Sequence, residues 1–294
     1  MADLTKQYLY KIPTNTNHAA TKVFGLIENG QTVFEIGCAS GVQTRHLKET
    51  LECHVTGLEI NALAAESARP YCKRLIVGDI EKIDLVDVLG ETRFDVITFI
   101  DVLEHLYDPA DALKKLRPFL APNGHLIASI PNIAHAAICW ELAHGRFNYQ
   151  KYGLLDDTHI RFFTKKNVAR LFTEAGYEIV VWDRVIKTPE ETEFEIRCGS
   201  DLDQSFLDWV GEHNSEANTY QFIVKARACE HQADDSSYQL QDAHDTICRL
   251  EDKISGLSRQ NRALKSQISW LENHRFGPLT SLLSRLLKKS PKSV

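Results

Sequence analysis

Short apolar runs rich in β-branched residues recur through the first three-quarters of the chain, each separated from the next by a segment of helical pattern. No other feature constrains the fold as much. The runs are TVFEIG (32–37), HVTGLEI (54–60), RLIVGD (74–79), FDVITFI (94–100) and HLIASI (125–130). They are largely apolar at consecutive positions, as strands buried on both faces are. Four end at a polar or glycine-containing turn. Between them lie GVQTRHLKETL and DPADALKKLRPFL; the latter opens at an Asp-Pro helix start with Asp108 as its cap and closes before the turn APNG. Strand and helix in alternation predict an α/β fold, a doubly wound parallel sheet with helices on both faces. A helix over 165–176 with Thr164 as N-cap follows, then two more strands, YEIVVWDRVI and TYQFIVKARA, seven in all. No helical crossover is evident just before the last run, so it is expected as an antiparallel edge strand.

The pattern changes after Cys229. Residues 230–239 are polar and linker-like. Over 240–274 a heptad emerges, in which Leu240, Ile247, Ile254, Asn261 and Ile268 interleave with Ala243, Leu250, Leu257, Leu264 and Leu271. Two apolar positions per heptad make too narrow a stripe for a helix packed on its own domain. Isoleucine at a, leucine at d and a single a-position asparagine favour a parallel, two-stranded α-helical coiled coil, hence a homodimer. Its rod would reach roughly 50 Å at ~1.5 Å per residue. Residues 275–294 place Leu279, Leu282, Leu283, Leu286 and Leu287 on one helical face, with Arg285, Lys288, Lys289 and Lys292 as the basic complement. Such a basic amphipathic tail suits an anionic membrane surface; closing the end of the coiled coil or docking a partner protein remains equally open.

Composition removes other classes. A length of 294 residues allows one large domain with an appendage, and a net charge of −6 gives no electrostatic reason to expect nucleic acid. Seven scattered cysteines (Cys38, Cys53, Cys72, Cys139, Cys198, Cys229 and Cys248) form no CxxC pair. A disulfide framework and a cysteine zinc site are therefore not expected, nor is any other metal site. The opening MADLTKQYLYKIP lacks the apolar run of a signal peptide, and no stretch is long enough to span a bilayer. The expectation is a cytoplasmic protein, peripheral on the inner face of the membrane if the tail binds lipid.

The strand ends carry the functional signal. The first strand runs into FEIGCASG, where Gly37, Cys38 and Gly41 form a turn that lets backbone approach a ligand and aims the next helix's N-terminus at it. The second strand ends at Glu59 and Ile60, and Glu59 can grip a ribose diol. The third ends at Asp79 and Ile80, and the fourth at Asp101, with Glu104 and His105 close behind. A dinucleotide would prefer GxGxxG, and an acidic rim repels phosphates. The rim favours a cationic nucleoside without phosphate, and S-adenosylmethionine fits. At this point the chain resembles the class I S-adenosylmethionine-dependent methyltransferases, in the broad group that includes quinone-biosynthesis enzymes, over about Tyr8 to Cys229. The matching motifs are VFEIGCASG, GLEI, GDIE and FDVITFIDVLEHLYDP. The resemblance implies a Rossmann-like seven-stranded methyltransferase sheet. In it Glu35 and Gly37 would hold the methionine moiety, Glu59 both ribose hydroxyls, Asp79 and Ile80 the adenine, and Asp101 the amino-acid end. Ala39 departs from the middle glycine of the family's turn.

Residues 131–164 are too long for a plain connection and read as a lid on the same rim. The lid holds His135, Trp140, His144, Arg146, Tyr149, Tyr152, Asp156, Asp157, His159 and Arg161. His159, with an unperturbed pKa near 6.5, can serve as general base, as a substrate contact, or as a lid histidine bonded to Asp156 or a carbonyl. His105 and His135 are further catalytic candidates. The segment GRFNY…GLLDDTHIRFFT also resembles bacterial methyltransferases found alongside glycosyltransferases in surface-polysaccharide pathways, some built on a coiled coil ending at the membrane. That resemblance implies O-methylation of a glycan or lipid-linked saccharide and a glycosyltransferase or membrane partner. A small-molecule, quinone-like hydroxyl acceptor is the alternative, and a catalytically weak scaffold working through its coiled coil is another.

Overall fold

A computed structural model describes residues 15–194, 204–229 and, near the C-terminus, 254, 257 and 261–269. The chain divides into two compact units, Met1–Asp234 and Asp235–Val294.

In the first unit seven strands, β1 (Thr32–Ile36), β2 (His54–Glu59), β3 (Arg74–Val77), β4 (Phe94–Ile100), β5 (Leu120–Pro131), β6 (Tyr177–Ile186) and β7 (Thr219–Ala228), form one sheet in the order β3-β2-β1-β4-β5-β7-β6. β1 to β5 pair in parallel. The winding reverses between β1 and β4, so the carboxyl ends of these two strands open a crevice at the switch point. Consecutive apolar residues serve both faces. Phe34, Ile36, Ile97 and Phe99 join the core beneath the helices Pro109–Leu116 and Lys165–Glu174, while Val33, Val55, Val96 and Ile127 pack with the helix Ala19–Phe24 on the other side. Each such side chain, fully buried, stabilises by about 1.5–3 kcal/mol before its cavity term.

Helix starts follow the local chemistry. Asp108 accepts from the Asp111 amide at 2.9 Å with Pro109 at the first helical position. Thr164 and Asn167 form a reciprocal capping box.

The last strand corrects the sequence reading in two ways. β7 is antiparallel as expected, yet it lies between β5 and β6, and β6 is the edge. The reason is burial: Phe222, Ile223, Val224 and Ala226 are all fully enclosed, whereas β6 buries only Tyr177 and Val185. Both faces of β7 therefore need cover, which an edge strand does not get. The crossover that the sequence did not reveal is the helix Gln204–His213.

Of the second unit, 261–269 is helical, and Ile254, Leu257 and Leu264 are exposed. Heptad positions Leu240, Ala243, Ile247, Leu250 and Leu271, the linker 230–239 and the basic tail 275–294 lie outside the described residues. Among the described residues no helix is long and apolar enough to cross a membrane.

Candidate functional site

The rim is built first from the turn after β1. Gly37, Ala39 and Gly41 take left-handed backbone angles (φ 74°, 45° and 84°). Gly37 and Cys38 both donate to the Leu58 carbonyl, at 2.8 and 3.2 Å, which ties the turn to β2. The bare faces of the two glycines meet protein. A Cβ on Gly41 would sit 2.5 Å from Ala68 Cα, and one on Gly37 would sit 2.7 Å from Val102 Cγ2. The close approach inferred for Gly41 is thus to the end of the helix Ala62–Ala68. Ala39 holds its left-handed angle with a side chain, at a cost of about 1–2 kcal/mol.

Three acids surround this turn. Glu35 is buried beneath it; Thr44 donates to Oε2 at 2.6 Å, while Oε1 has no partner. Burial, partly offset by that bond, pushes its carboxyl up to about 7. Glu59 accepts from the Ala39 amide (2.9 Å) and the Asn61 amide (2.8 Å), so its carboxylate bridges the ends of β1 and β2. Asp79 accepts from Lys82 Nζ at 2.7 Å and the Glu81 amide at 3.0 Å, and the lysine holds it below the usual carboxylate range. Ile60 is 66% exposed at the rim, whereas Ile80 turns its side chain into the core. The donor set fits a cationic nucleoside. An unpartnered buried carboxylate oxygen lies under the turn and a second carboxylate lies at the end of β2, where a ribose diol would find acceptors.

β4 delivers the other half. Asp101 takes φ 55°, an angle that non-glycine residues adopt at a cost and that clusters at functional sites. It is held there by Ser129, which donates to Oδ1 at 2.6 Å and accepts from the Asp101 amide, and by Gln221 Nε2 at 2.8 Å. A single 3₁₀ turn, Leu103–His105, follows. It buries Glu104 completely, with neither carboxylate oxygen hydrogen-bonded. Burial, and then Asp101, push Glu104 well above the usual carboxylate range.

The lid docks onto this turn. Ile160 and Arg161 both donate their amides to the Glu104 carbonyl at 3.0 Å. Asp156 is taken up by the Thr158 amide and hydroxyl, and Asp157 by Lys151. Neither carboxylate hydrogen-bonds the His159 ring. Its Nδ1 instead donates to the Leu154 carbonyl at 3.3 Å, and its Nε2 lies 3.9 Å from Glu104 Oε1. His105 Nδ1 donates to the Thr158 carbonyl at 3.1 Å, and the two imidazoles meet edge to face with centroids 4.9 Å apart. Burial, then His105, bring His159 down to about 4, so it is neutral at pH 7. Arg161 bonds the Tyr107 carbonyl, not a lid aspartate.

These groups open onto one cavity of about 330 Å³. Asp101, Glu104, His105, Asp156 and His159 line it, together with His18, Lys187, Tyr220 and Gln221. His135 lies outside it. Fully buried, it caps the helix Ala136–Ala143 by accepting from the Ala137 amide (3.2 Å) and donating to the Lys187 carbonyl (3.0 Å), and burial brings it down to about 4. Both ring nitrogens are thereby committed to backbone. The residues that sequence reasoning missed come from elsewhere: His18 from the N-terminal helix cap, and Lys187, Tyr220 and Gln221 from the ends of β6 and β7. Placing β7 beside β5 is what brings Tyr220 and Gln221 to the rim, so no local motif marks them.

The sheet order and the acidic rim define a class I, Rossmann-like methyltransferase fold. A family model described as a methyltransferase domain matches residues 5–181, and the chain belongs to that family, whose cofactor is S-adenosylmethionine. It is 30% identical over 127 residues to the ubiquinone biosynthesis O-methyltransferase of Histophilus somni, covering 41% of this chain and 52% of that one. The corresponding enzyme of Alkalilimnicola ehrlichii is 28% identical over 123 residues, covering 41% and 49%. The chain thus spans about half the length of these two relatives. A SAM-dependent methyltransferase from Thermotoga maritima shares the fold, with a TM-score of 0.50 at 19% identity over 72% of this chain and 88% of that one.

Proposed function

We propose that this protein transfers a methyl group from S-adenosylmethionine to a hydroxyl oxygen of a polar, saccharide-type acceptor seated between Asp101, His105 and His159. One observation carries the reading: polar and titratable side chains, among them Asp101, Asp156, His159 and Gln221, make up most of the cavity lining beside the rim. A hydroxyl donates its proton to such a wall, and its own lone pair is then directed away from it. The bound cofactor supplies an electrophilic methyl group. The chain's part is to hold the hydroxyl in line, exclude water under the lid and receive the proton. His159 Nε2 is an unprotonated lid nitrogen at this cavity. Its low basicity suits orienting the hydroxyl better than stripping it early, so proton loss accompanies methyl transfer.

A glycan or lipid-linked saccharide satisfies more of this polar lining than a flat quinone does. The relatives named for ubiquinone biosynthesis support a phenolic hydroxyl as the second reading. Labelled cofactor incubated with lipid-linked saccharides and with catechols separates the two by which product carries label. His159→Gln is expected to lower turnover at least tenfold with cofactor affinity unchanged; retained turnover removes His159 from the chemistry.

The same proposal assigns 240–274 to a parallel homodimer and 275–294 to an anionic membrane surface or a glycosyltransferase at the inner face of the membrane. The exposed Ile254, Leu257 and Leu264 support the first part. Deleting 230–294 should abolish membrane recruitment while turnover on a soluble acceptor persists.

A further inference from the structure

We propose that Glu104, His105 and His159 bind one divalent transition-metal ion, of the zinc, manganese or iron type, at the floor of the acceptor cavity. One ligating atom from each residue lies within 4.8 Å of the others. What they lack is a hydrogen bond to one another. Both histidines give their Nδ1–H to backbone carbonyls, Thr158 for His105 and Leu154 for His159. A carbonyl can only accept, so in each neutral ring the proton sits on Nδ1 and Nε2 is a lone pair. Neither Glu104 oxygen accepts a hydrogen bond, although the side chain is fully buried. At the His159–Glu104 contact an Nε2 lone pair and an unpartnered carboxyl oxygen therefore lie 3.9 Å apart, too far for a hydrogen bond.

A cation resolves this. Backbone carbonyls on the far nitrogens are the usual device that fixes a histidine for metal binding. Two imidazoles with one carboxylate select a borderline divalent ion over calcium or magnesium and leave positions open. Ligands at about 2.1 Å from a tetrahedral ion stand roughly 3.4 Å apart, so the cluster needs only modest contraction. Asp101 and Asp156 face the same cavity and add negative charge around the ion. Two ligands come from the turn after β4 and one from the lid, so the ion would also clamp the lid shut, beside the two amide bonds that Glu104 already accepts through its carbonyl.

The ion's role, though not its binding, rests on the O-methylation reading. An open coordination position would take the acceptor hydroxyl, lower its pKa and aim its oxygen, with His159 Nε2 then holding the ion in place of the hydroxyl.

The full-length chain, stripped with chelator, is titrated with Mn²⁺ and read by electron paramagnetic resonance, with Zn²⁺ as a competing arm. One ion per chain is expected, with Glu104→Gln and His159→Gln each weakening it at least tenfold while S-adenosylmethionine binding, by calorimetry, is kept. In the unmutated chain Mn²⁺ should broaden two histidine NMR signals strongly, which tests the site even where a variant fails to fold. No bound ion at millimolar Mn²⁺, unchanged binding in both variants, or broadening centred on other histidines overturns the proposal. Full turnover on an acceptor without any bound ion overturns the ion's role in the chemistry and keeps the function. A bound ion with no acceptor methylated does the reverse.

Discussion

Replacing Gly41 with alanine tests whether the turn is held by protein packing or by ligand approach. Two costs can be worked from the geometry. The left-handed backbone (φ 84°) carries about 1–2 kcal/mol for any residue with a Cβ. The new methyl would also lie 2.5 Å from Ala68 Cα and 2.8 Å from Ala68 Cβ. Carbon atoms rest about 3.5–4.0 Å apart, so the end of the helix Ala62–Ala68 must retreat by about an ångström. Overpacking of this kind costs about 1–3 kcal/mol. The sum is about 2–5 kcal/mol, a shift of roughly 5–15 °C in the melting temperature of a domain this size. Gly30→Ala supplies the control, because Gly30 shares the left-handed angle (φ 78°) with nothing within 4 Å of its missing Cβ. It should lose only the first cost. Differential scanning calorimetry of both variants with and without S-adenosylmethionine checks this. If Gly41→Ala melts no lower than Gly30→Ala, the packing explanation fails; if the deficit appears only with cofactor present, the glycine serves the ligand.

Other expectations follow from single residues. His135 is held at about 4 in the fold against 6.5 when free, so its stabilisation is intact above pH 6.5 and is lost as pH falls toward 4. That is about 2 kcal/mol between pH 7.5 and 5. His135→Asn keeps a cap acceptor without the titration and should flatten a urea-denaturation pH profile by that amount. Glu59→Gln keeps shape and removes charge at the expected ribose grip; losing a charged hydrogen bond should weaken S-adenosylmethionine about 10–100-fold by calorimetry, and undiminished affinity would remove Glu59 from the cofactor site. Light scattering should find the full chain dimeric and a 1–229 truncation monomeric, and two monomers would refute the heptad reading.

The rim was legible because strand ends are fixed by where apolar runs stop. Glu59, Asp79 and Asp101 each follow such a run, and the parallel order of β1 to β4 brings all three to one edge. The distal sheet was less legible. TYQFIVKARA contains three consecutive apolar residues and YEIVVWDRVI contains four, Ile179 to Trp182, so the length of the apolar run does not tell the enclosed strand from the edge. His135 shows the opposite failure. It stands directly before the apolar segment AAICWELA, in an N-cap position, and a capping side chain on a lid is indistinguishable by composition from a reactive one.

GLLDDTHIRFFT is where sequence and structure diverge most in kind. Its aspartates look like partners for His159, yet Asp156 turns back on Thr158 and Asp157 goes to Lys151. Short-range bonds of this sort are available within the loop itself, so they form without help from the rest of the fold. His159 is thereby left to a carbonyl on one side and to Glu104, from another element, on the other. The chemistry of the cavity depends on that allocation of protons. A buried carboxyl with neither oxygen hydrogen-bonded, beside two imidazoles, departs from the ordinary rule that buried polar groups are paired. Such a departure sits where a ligand completes the set, which is why the cavity floor, and not the glycine turn, is where this chain's specificity is expected to reside.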